Sequence, residues 1–178
     1  MILCDREIEL AMDQCRLVIY PRPNPKHMDS TAVDLLLDGV LDRWVFPEQD
    51  ASIGQGELKF RPGSPGFKYS DLEKKYLKPI DISTSGYDLS PGHPGNFILG
   101  WTLERIYLPH TSRYCARVEG KSSMARLGLG VHVTAPTIHA GFGHNPNDDK
   151  QHGTRLRLEI WNWDRCQSNW SKECAFVS

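Results

Sequence analysis

The chain has 178 residues, a length typical of one domain, and its 39% hydrophobic and 24% charged residues are typical of a globular protein. Its formal net charge of −1 gives no electrostatic argument for binding nucleic acid or a membrane surface. Charged residues follow Met1 too early for a signal peptide, and no apolar run approaches the ~20 residues of a membrane helix. We therefore expect one cytoplasmic domain covering residues 1–178.

The five cysteines are odd in number, widely scattered and free of any Cys-x-x-Cys spacing. This pattern predicts reduced thiols, and neither a zinc site nor a disulfide framework.

The first predicted element is a helix from Asp5 to Arg16, with Asp5 as its N-cap. Its apolar residues recur at helical spacing and are Ile8, Ala11, Met12 and Cys15. After three prolines the helical signal is sparse, and short apolar stretches bounded by turn residues predict strands at 32–37, 41–46, 97–102 and 105–108. Residues 81–96 are rich in Gly, Pro and Ser and predict a surface loop. Many short strands favour an all-β barrel or sandwich with short helices.

The segment 155–161 alternates strictly between two faces. One face carries Leu156, Leu158 and Ile160, and the other carries Arg155, Arg157, Glu159 and Trp161. We expect the two arginines to favour the ionised form of Glu159 while making it a weaker base. Taken alone, this carboxylate fits a salt-bridge residue of the strand as well as it fits a catalytic base.

The segment 119–128 predicts a helix of one or two turns. Gly120 permits a sharp turn, Ser122 or Ser123 can cap the helix, and Gly128 can end it. Free N–H groups at such a helix start can hold an anion, helped by Lys121 and by Arg126, which is four residues from Ser122. The alternative is a capped surface helix. A P-loop is excluded, because Cys115 stands where that motif needs glycine.

Several ordered motifs resemble the dCTP deaminase family of the dCTP deaminase and dUTPase superfamily. They lie at 3–8, 30–35, 100–104, 120–128, 131–135, 138–142 and 158–159, and the resemblance extends over about 160 residues. The most specific are Ser122-Ser123-x-x-Arg126-x-Gly128, then His132-x-Thr134-Ala135, then Leu158-Glu159, in this order along the chain.

The resemblance implies a distorted β-barrel of the dUTPase-like β-clip type, and a homotrimer with active sites shared between subunits. It implies hydrolysis of dCTP to dUTP and ammonia, with Mg²⁺ carried on the triphosphate and no zinc. Some members also release pyrophosphate and yield dUMP, and whether dTTP inhibits stays open. The phosphate contacts would be Lys121, Ser122, Ser123, Met124, Ala125 and Arg126.

The same resemblance assigns the remaining site residues. His139 would lie beside the sugar, and the Ala135 backbone would contact the attacking water. Glu159 would activate that water, flanked by the substrate contacts Arg157 and Leu158. Zinc deaminases use a His-x-Glu and Pro-Cys-x-x-Cys signature that this sequence does not contain. A metal-free mechanism would therefore depend on Glu159, Ser122, Arg126 and backbone groups.

Three positions depart from the family pattern. Lys121 stands where many members have Arg, and His139-Ala140 stands where many have Asp-Pro. The polar stretch from His144 to Thr154 is longer than the usual turn, and we interpret it as a surface insertion rather than a lid. Four of its residues are of types that can bind a metal ion: His144, Asp148, Asp149 and His152. Their spacing is not that of a compact metal site, which favours a solvated loop.

The end of the chain, residues 164–178, is an atypical tail without strand alternation. The family has a Pro-Ile-x-Leu and Gly-Met-Arg-Ile stretch here, followed by a tail that closes over the nucleotide. Codon degeneracy allows 165–177, read in a frame shifted by one nucleotide, to spell that pattern, so we hypothesise a frame shift near Asp164. With this ending, at least one barrel strand would be missing and the C-terminal part of the barrel would be incomplete.

Two other functions are weighed against the deaminase. An inactive or regulatory nucleotide-binding homologue is favoured by the altered His139 and by the tail. A dUTP diphosphatase is disfavoured, because His139 stands where its catalytic Asp would be expected.

Overall fold

The structure is a computed structural model that describes residues 2–45, 61–89, 96–132, 134–147 and 152–163, together with two short strands in the tail. Within these residues the chain is mostly β with short helices. The elements in chain order are α1 (Asp5–Asp13), β1 (Val18–Tyr20), a 3₁₀ turn (Pro25–His27), β2 (Met28–Asp29), β3 (Ala32–Val33), β4 (Leu35–Leu36), β5 (Val40–Trp44), α2 (Tyr69–Tyr76), β6 (Leu77–Asp81), β7 (Tyr87–Asp88), β8 (Phe97–Tyr107), β9 (Ala116–Arg117), α3 (Ser122–Ala125), β10 (Leu129–Val131), β11 (Thr137–Ile138), β12 (Thr154–Asn162), β13 (Asn169–Trp170) and β14 (Ala175–Val177).

The main sheet is antiparallel, with strand order β10-β12-β8-β5-β6 and with β1 added to the side of β8. Four small pairs accompany it: β11 with β9, β13 with β7, β14 with β4, and β2 with β3. The strands that the structure describes do not close into a complete barrel, which agrees with a distorted version of that fold. The prediction of an all-β protein with short helices is confirmed. No helix in the described ranges is long and apolar enough to cross a membrane.

The core lies under the pairing of the two longest strands, β8 and β12. The predicted inner face of β12 is confirmed, since Leu156, Leu158 and Ile160 are 5%, 0% and 1% exposed. The β8 strand turns its even-numbered residues inward, including the polar Thr102 and Glu104. The pairing shifts register between Arg155 and Arg157, and there the Thr102 hydroxyl accepts the Leu156 N–H at 2.9 Å. A buried hydroxyl thus satisfies the backbone donor at the irregularity.

Two of the predicted strands are one. Residues 97–102 and 105–108 were expected as separate strands, but β8 runs without a break from Phe97 to Tyr107. Leu103 and Glu104 separate the two predicted strands, yet Glu104 is buried, with its carboxylate accepting the Leu36 N–H. The Thr102 hydroxyl donates to the Glu104 carbonyl across the same point. The predicted strand 41–46 corresponds to β5, with Phe46 outside the described residues.

The first helix is shorter than predicted, and its cap is different. It begins at Asp5 but has Cys4 as its N-cap, and the Glu7 carboxylate accepts the Cys4 N–H at 2.9 Å. It ends at Asp13, and Cys15 has a positive φ of 53° and an exposed side chain. The apolar pattern correctly identified Ile8, Ala11 and Met12 as buried.

Three more features differ from what the sequence predicts. The α2 helix was not predicted, because Tyr76 is its one buried residue and gives a weak periodic signal. The predicted loop 81–96 contains the end of β6 and the short strand β7, while 90–95 lie outside the described residues. The tail, expected to lack strands, contributes β13 and β14, which pair with β7 and β4. The rest of the tail lies outside the described residues, and the frame-shift hypothesis stays a prediction.

We predict that Gly153→Ala destabilises the fold far more than Gly66→Ala. Both glycines have φ of +83°, but a Cβ on Gly153 would lie 2.1 Å from the Ile106 carbonyl oxygen, whereas Gly66 faces open space. The left-handed backbone should cost each variant about 1 kcal/mol, and the clash should add roughly 1–3 kcal/mol at Gly153. Urea unfolding of both variants measures the difference. Equal losses would show that the close approach to Ile106 is not tight.

We predict that Glu104→Gln removes a pH-dependent loss of stability. Burial raises the pKa of Glu104 above its ordinary value of 4.5, against the effect of the hydrogen bond from the Leu36 N–H. The folded state therefore holds the proton more tightly, so the free energy of unfolding falls as pH rises from about 4.5 through the raised pKa. Glutamine can accept the same hydrogen bond without charge. Urea unfolding at pH 4 and pH 7 should show the parent losing stability relative to the variant, and parallel curves would contradict this.

Candidate active site

The outward face of β12 carries the predicted row of Arg155, Arg157 and Glu159, and each is partly exposed. The two arginines pair with aspartates that lie just before and within β5, the strand on the other edge of β8. Arg155 lies 2.5 Å from Asp38, and Arg157 lies 2.7 Å from Asp42. The Arg157 guanidinium also stacks 4.3 Å above the ring of Trp101. Both arginines therefore have carboxylate partners of their own, which the sequence did not indicate.

Glu159 instead has His132 as its neighbour. The Glu159 Oε2 atom lies 3.4 Å from His132 Nδ1, and the two side chains are 35% and 9% exposed. The backbone N–H of His132 also donates a hydrogen bond to the backbone carbonyl of Glu159, at 2.9 Å. The His132 Nδ1 atom has no hydrogen bond of good geometry among the described residues, so its contact with Glu159 is a close approach and not a hydrogen bond. The backbone contact fixes the imidazole beside a carboxylate that water can reach.

The backbone of His132 adopts a left-handed conformation, with φ of 62°. Non-glycine residues seldom do so, and such residues concentrate at functional sites. Sequence reasoning quoted His132 as part of a motif but gave it no role. Its neighbour Val133 lies outside the described residues.

An open cleft of about 330 Å³ lies beside His132. Its lining combines the end of α3 with β10 and the end of β12, and comprises Gly120, Ala125, Leu129, Gly130, Val131, His132, Trp161 and Trp163. The Trp161 ring covers Gly130 so closely that a Cβ there would lie 2.2 Å from it. Trp163 is 65% exposed and meets Trp161 edge to face. Through Ala125 and His132, the cleft connects the predicted phosphate segment to the Glu159 region.

The α3 helix confirms the prediction of one or two turns, since it spans Ser122–Ala125 and the chain turns away at Gly128, which has φ of +83°. Its N-cap is Lys121 and not a serine, because the Lys121 carbonyl accepts the N–H groups of Met124 and Ala125. Ser122, Ser123 and Arg126 have exposed side chains, and Met124 packs against the core. The Lys121 ammonium forms an ion pair with Asp34, a partner that sequence reasoning did not foresee.

The other predicted contacts lie elsewhere. Ala135 is exposed between β10 and β11. The exposed His139 begins a turn held to Leu108 by two backbone hydrogen bonds, Gly141 N–H to Leu108 O at 2.7 Å and Leu108 N–H to Phe142 O at 3.0 Å. Leu108 follows the end of β8 that pairs with Thr154, whereas Glu159 pairs with Leu99 near the opposite end. The six residues from Thr154 to Glu159 make five steps along the strand, which span about 16 Å. The β8–β12 pair therefore separates His139 from Glu159 within one chain.

Tyr69 on α2 is a further group close to this region. Burial and the carboxylate of Glu73 raise the pKa of Tyr69, and the charges of Arg157 and Glu159 also reach it, with opposite effects. The phenol therefore stays neutral and able to donate a hydrogen bond at pH 7. The sequence gave no signal for it, because α2 itself was not predicted.

The polar stretch from His144 to Thr154 contains two histidines that the structure describes. His144 contacts the ring of His110 edge to face at 5.1 Å, and His152 stacks on Tyr20 at 4.2 Å. Asp148 and Asp149 lie outside the described residues. Across the described ranges no group of three or more His, Cys, Asp or Glu side chains could hold a metal ion.

Known proteins are similar to this chain in sequence and in fold. A relative from Methanosphaera stadtmanae named dCTP deaminase, dUMP-forming, is 35% identical over 144 residues, which cover 81% of this chain and 64% of the relative. A dCTP deaminase from Tolumonas auensis is 31% identical over 163 residues, covering 90% of this chain and 77% of the relative. The crystal structure of 2′-deoxycytidine 5′-triphosphate deaminase from Agrobacterium tumefaciens matches with a TM-score of 0.55 at 22% identity, covering 90% of this chain and 41% of that one.

The structural match supports the fold, and the chain spans less than two thirds of the Methanosphaera relative's length. The family evidence is broader, because a family model described as dCTP deaminase-like matches residues 2–167. That match includes α3, the His132 turn and β12. Because it spans almost the whole sequence, the chain belongs to the dCTP deaminase-like family.

Proposed function

We propose that this chain catalyses the hydrolytic deamination of dCTP to dUTP and ammonia. The observation that carries the proposal is the pairing of a partly exposed carboxylate, Glu159, with the buried imidazole of His132 beside an open cleft. Both curated relatives described above carry dCTP deaminase in their names.

Deamination requires water to attack C4 of cytosine, a proton to reach N3, and ammonia to leave. Glu159 would accept the proton of the attacking water as the O–C4 bond forms and would deliver it to N3. The second proton of the water, now on the C4 hydroxyl, would then pass through Glu159 to the amino group. The C4–N bond breaks, ammonia leaves, and C4 keeps the water oxygen as a carbonyl. General acid–base help of this kind contributes about 10²–10⁴ in rate.

His132 would hold the Glu159 carboxylate in the orientation that this proton transfer needs. The backbone of His132 is held beside β12 by the hydrogen bond from its N–H to the backbone carbonyl of Glu159, at 2.9 Å. A buried imidazole on one side leaves the exposed part of the carboxylate for water. The neutral phenol of Tyr69 adds a possible hydrogen-bond donor on the α2 side.

The α3 segment would bind the triphosphate. Its donor set consists of the hydroxyls of Ser122 and Ser123, the guanidinium of Arg126 and the ammonium of Lys121. Cations and hydroxyls suit phosphate oxygens, and the two cations, together with the absence of a carboxylate from this set, do not favour a metal ion bound by the protein alone. Mg²⁺ would therefore be held by phosphate oxygens and water, where it would neutralise part of the triphosphate charge. Leu158 is 0% exposed as a whole residue, so within one chain it would support Glu159 from the core and would not itself contact the nucleotide.

A homotrimer with shared active sites is part of the proposal, as is a cytoplasmic location. The support for shared sites is the separation of His139 from Glu159 by most of the length of β12. One nucleotide could meet both groups more readily if they came from two copies of the chain. The role of His139 beside the sugar, and of the Ala135 backbone beside the water, belongs to this assembled site.

The product can be dUTP or, with further release of pyrophosphate, dUMP. The Methanosphaera relative is named as dUMP-forming, whereas the Tolumonas relative is not. Measuring pyrophosphate alongside ammonia distinguishes the two reactions.

We predict that Glu159→Gln lowers ammonia release from dCTP with Mg²⁺ by at least about 100-fold, because glutamine cannot accept the water's proton. Glu9→Gln, which changes an exposed glutamate on α1, is the matched control and should keep the parent's rate. Enzyme-coupled ammonia detection measures both.

Three outcomes separate the hypotheses. Equal activity of the parent and Glu159→Gln would remove Glu159 as the base. A folded parent that binds dCTP without releasing ammonia would indicate a binding or regulatory homologue. Pyrophosphate release from dUTP with no action on dCTP would indicate a dUTP diphosphatase.

A further inference from the structure

The predicted phosphate ligand Lys121 is already paired inside the chain. Its ammonium contacts the Asp34 carboxylate, and the two side chains are 33% and 18% exposed. Asp34 lies between β3 and β4, about ninety residues earlier in the sequence, so the contact joins the first strands to α3. This pair is neutral as a unit, and a phosphate approaching Lys121 meets a carboxylate as well as an ammonium.

Both partners are held in place by their backbones. The Asp34 N–H donates to the His27 carbonyl at 2.8 Å, and its neighbour Leu35 is 4% exposed. The Lys121 carbonyl accepts two N–H groups of α3, each at 3.0 Å. The pair is therefore a built contact and not a chance meeting of two mobile surface side chains.

The same stretch of chain repeats this arrangement at a spacing of four residues. Asp34, Asp38 and Asp42 pair with Lys121, Arg155 and Arg157, respectively. Two of these three cations, Lys121 and Arg157, are proposed nucleotide contacts, and Arg155 is not. Asp38 is therefore a natural control for Asp34, because it has the same charge, similar burial and a cationic partner outside the proposed contacts.

We propose that Asp34 is an affinity-determining residue of the phosphate site, acting as an internal competitor for Lys121. In the free chain its carboxylate occupies the ammonium that a phosphate would use. A polyphosphate must displace this carboxylate, or share the ammonium with it at the cost of repulsion between two anions. The inference rests on the proposed function only in assigning Lys121 to phosphate.

The test is calorimetric binding of inorganic tripolyphosphate to the full-length chain at low ionic strength. We expect Asp34→Asn to bind about tenfold more tightly than the parent, because the amide leaves the ammonium free and removes the repulsion. Asp38→Asn should stay within about twofold of the parent, since screening weakens a charge that acts only through solvent. In a Lys121→Met background, Asp34→Asn should have no effect, because a pairwise interaction vanishes when one partner is absent.

Weaker or unchanged binding by Asp34→Asn would overturn the proposal, since it would show that Asp34 positions Lys121 or does nothing to it. Equal tightening by Asp34→Asn and Asp38→Asn would also overturn it, because the effect would then be one of net charge. Asp34→Ser removes the same carboxylate with a smaller side chain and replaces Asp34→Asn if that variant does not fold. Tripolyphosphate binding does not depend on deamination, so a parent that releases no ammonia leaves this test intact.

Discussion

The antiparallel pairing of β8 with β12 determines the position of Glu159, the carboxylate on which the candidate site depends. Because side chains alternate along a strand, the same nine residues of β12 that bury Leu156, Leu158 and Ile160 also turn Arg157 and Glu159 outward. The opposite edge of β12 receives β10, whose end supplies His132. A shift of one residue in this register would exchange the two faces, burying the carboxylate and exposing the leucines. Fold and chemistry therefore depend on one alignment, which the Thr102 hydroxyl supports at its irregular point.

Charge compensation is the second constraint on the site. A six-stranded sheet with several cations on one face would repel itself, and the aspartates at 34, 38 and 42 pair with those cations. The arrangement leaves Glu159 beside His132 and away from a direct arginine partner. It also means that the phosphate region is less positive in the free chain than its sequence suggests. Binding a triphosphate would then require an exchange of partners at Lys121, in which Mg²⁺ on the phosphates would reduce the repulsion from Asp34.

Periodicity and motifs predicted the parts of the molecule that local physics controls. The alternation of β12, the buried face of α1 and the single turn of α3 follow from side-chain spacing and glycine positions. Long-range contacts were beyond such reasoning, because nothing near Lys121 in the sequence indicates Asp34, and nothing near Glu159 indicates His132. A buried polar residue also misled it: Glu104 falls in the gap between two predicted strands, yet its hydrogen bonds with backbone and Thr102 let one strand continue through the core. The resemblance to the deaminase family supplied the roles that geometry within one chain does not, above all that of His139.

The central claim is that water attacks C4 of cytosine at this site, and isotope transfer tests it most directly. Incubating the chain with dCTP and Mg²⁺ in H₂¹⁸O, followed by mass spectrometry of the nucleobase, reveals the origin of the new oxygen. The account predicts a uracil base that carries one ¹⁸O atom at C4, formed in step with ammonia. Recovery of unlabelled cytosine from a folded, dCTP-binding chain would contradict it.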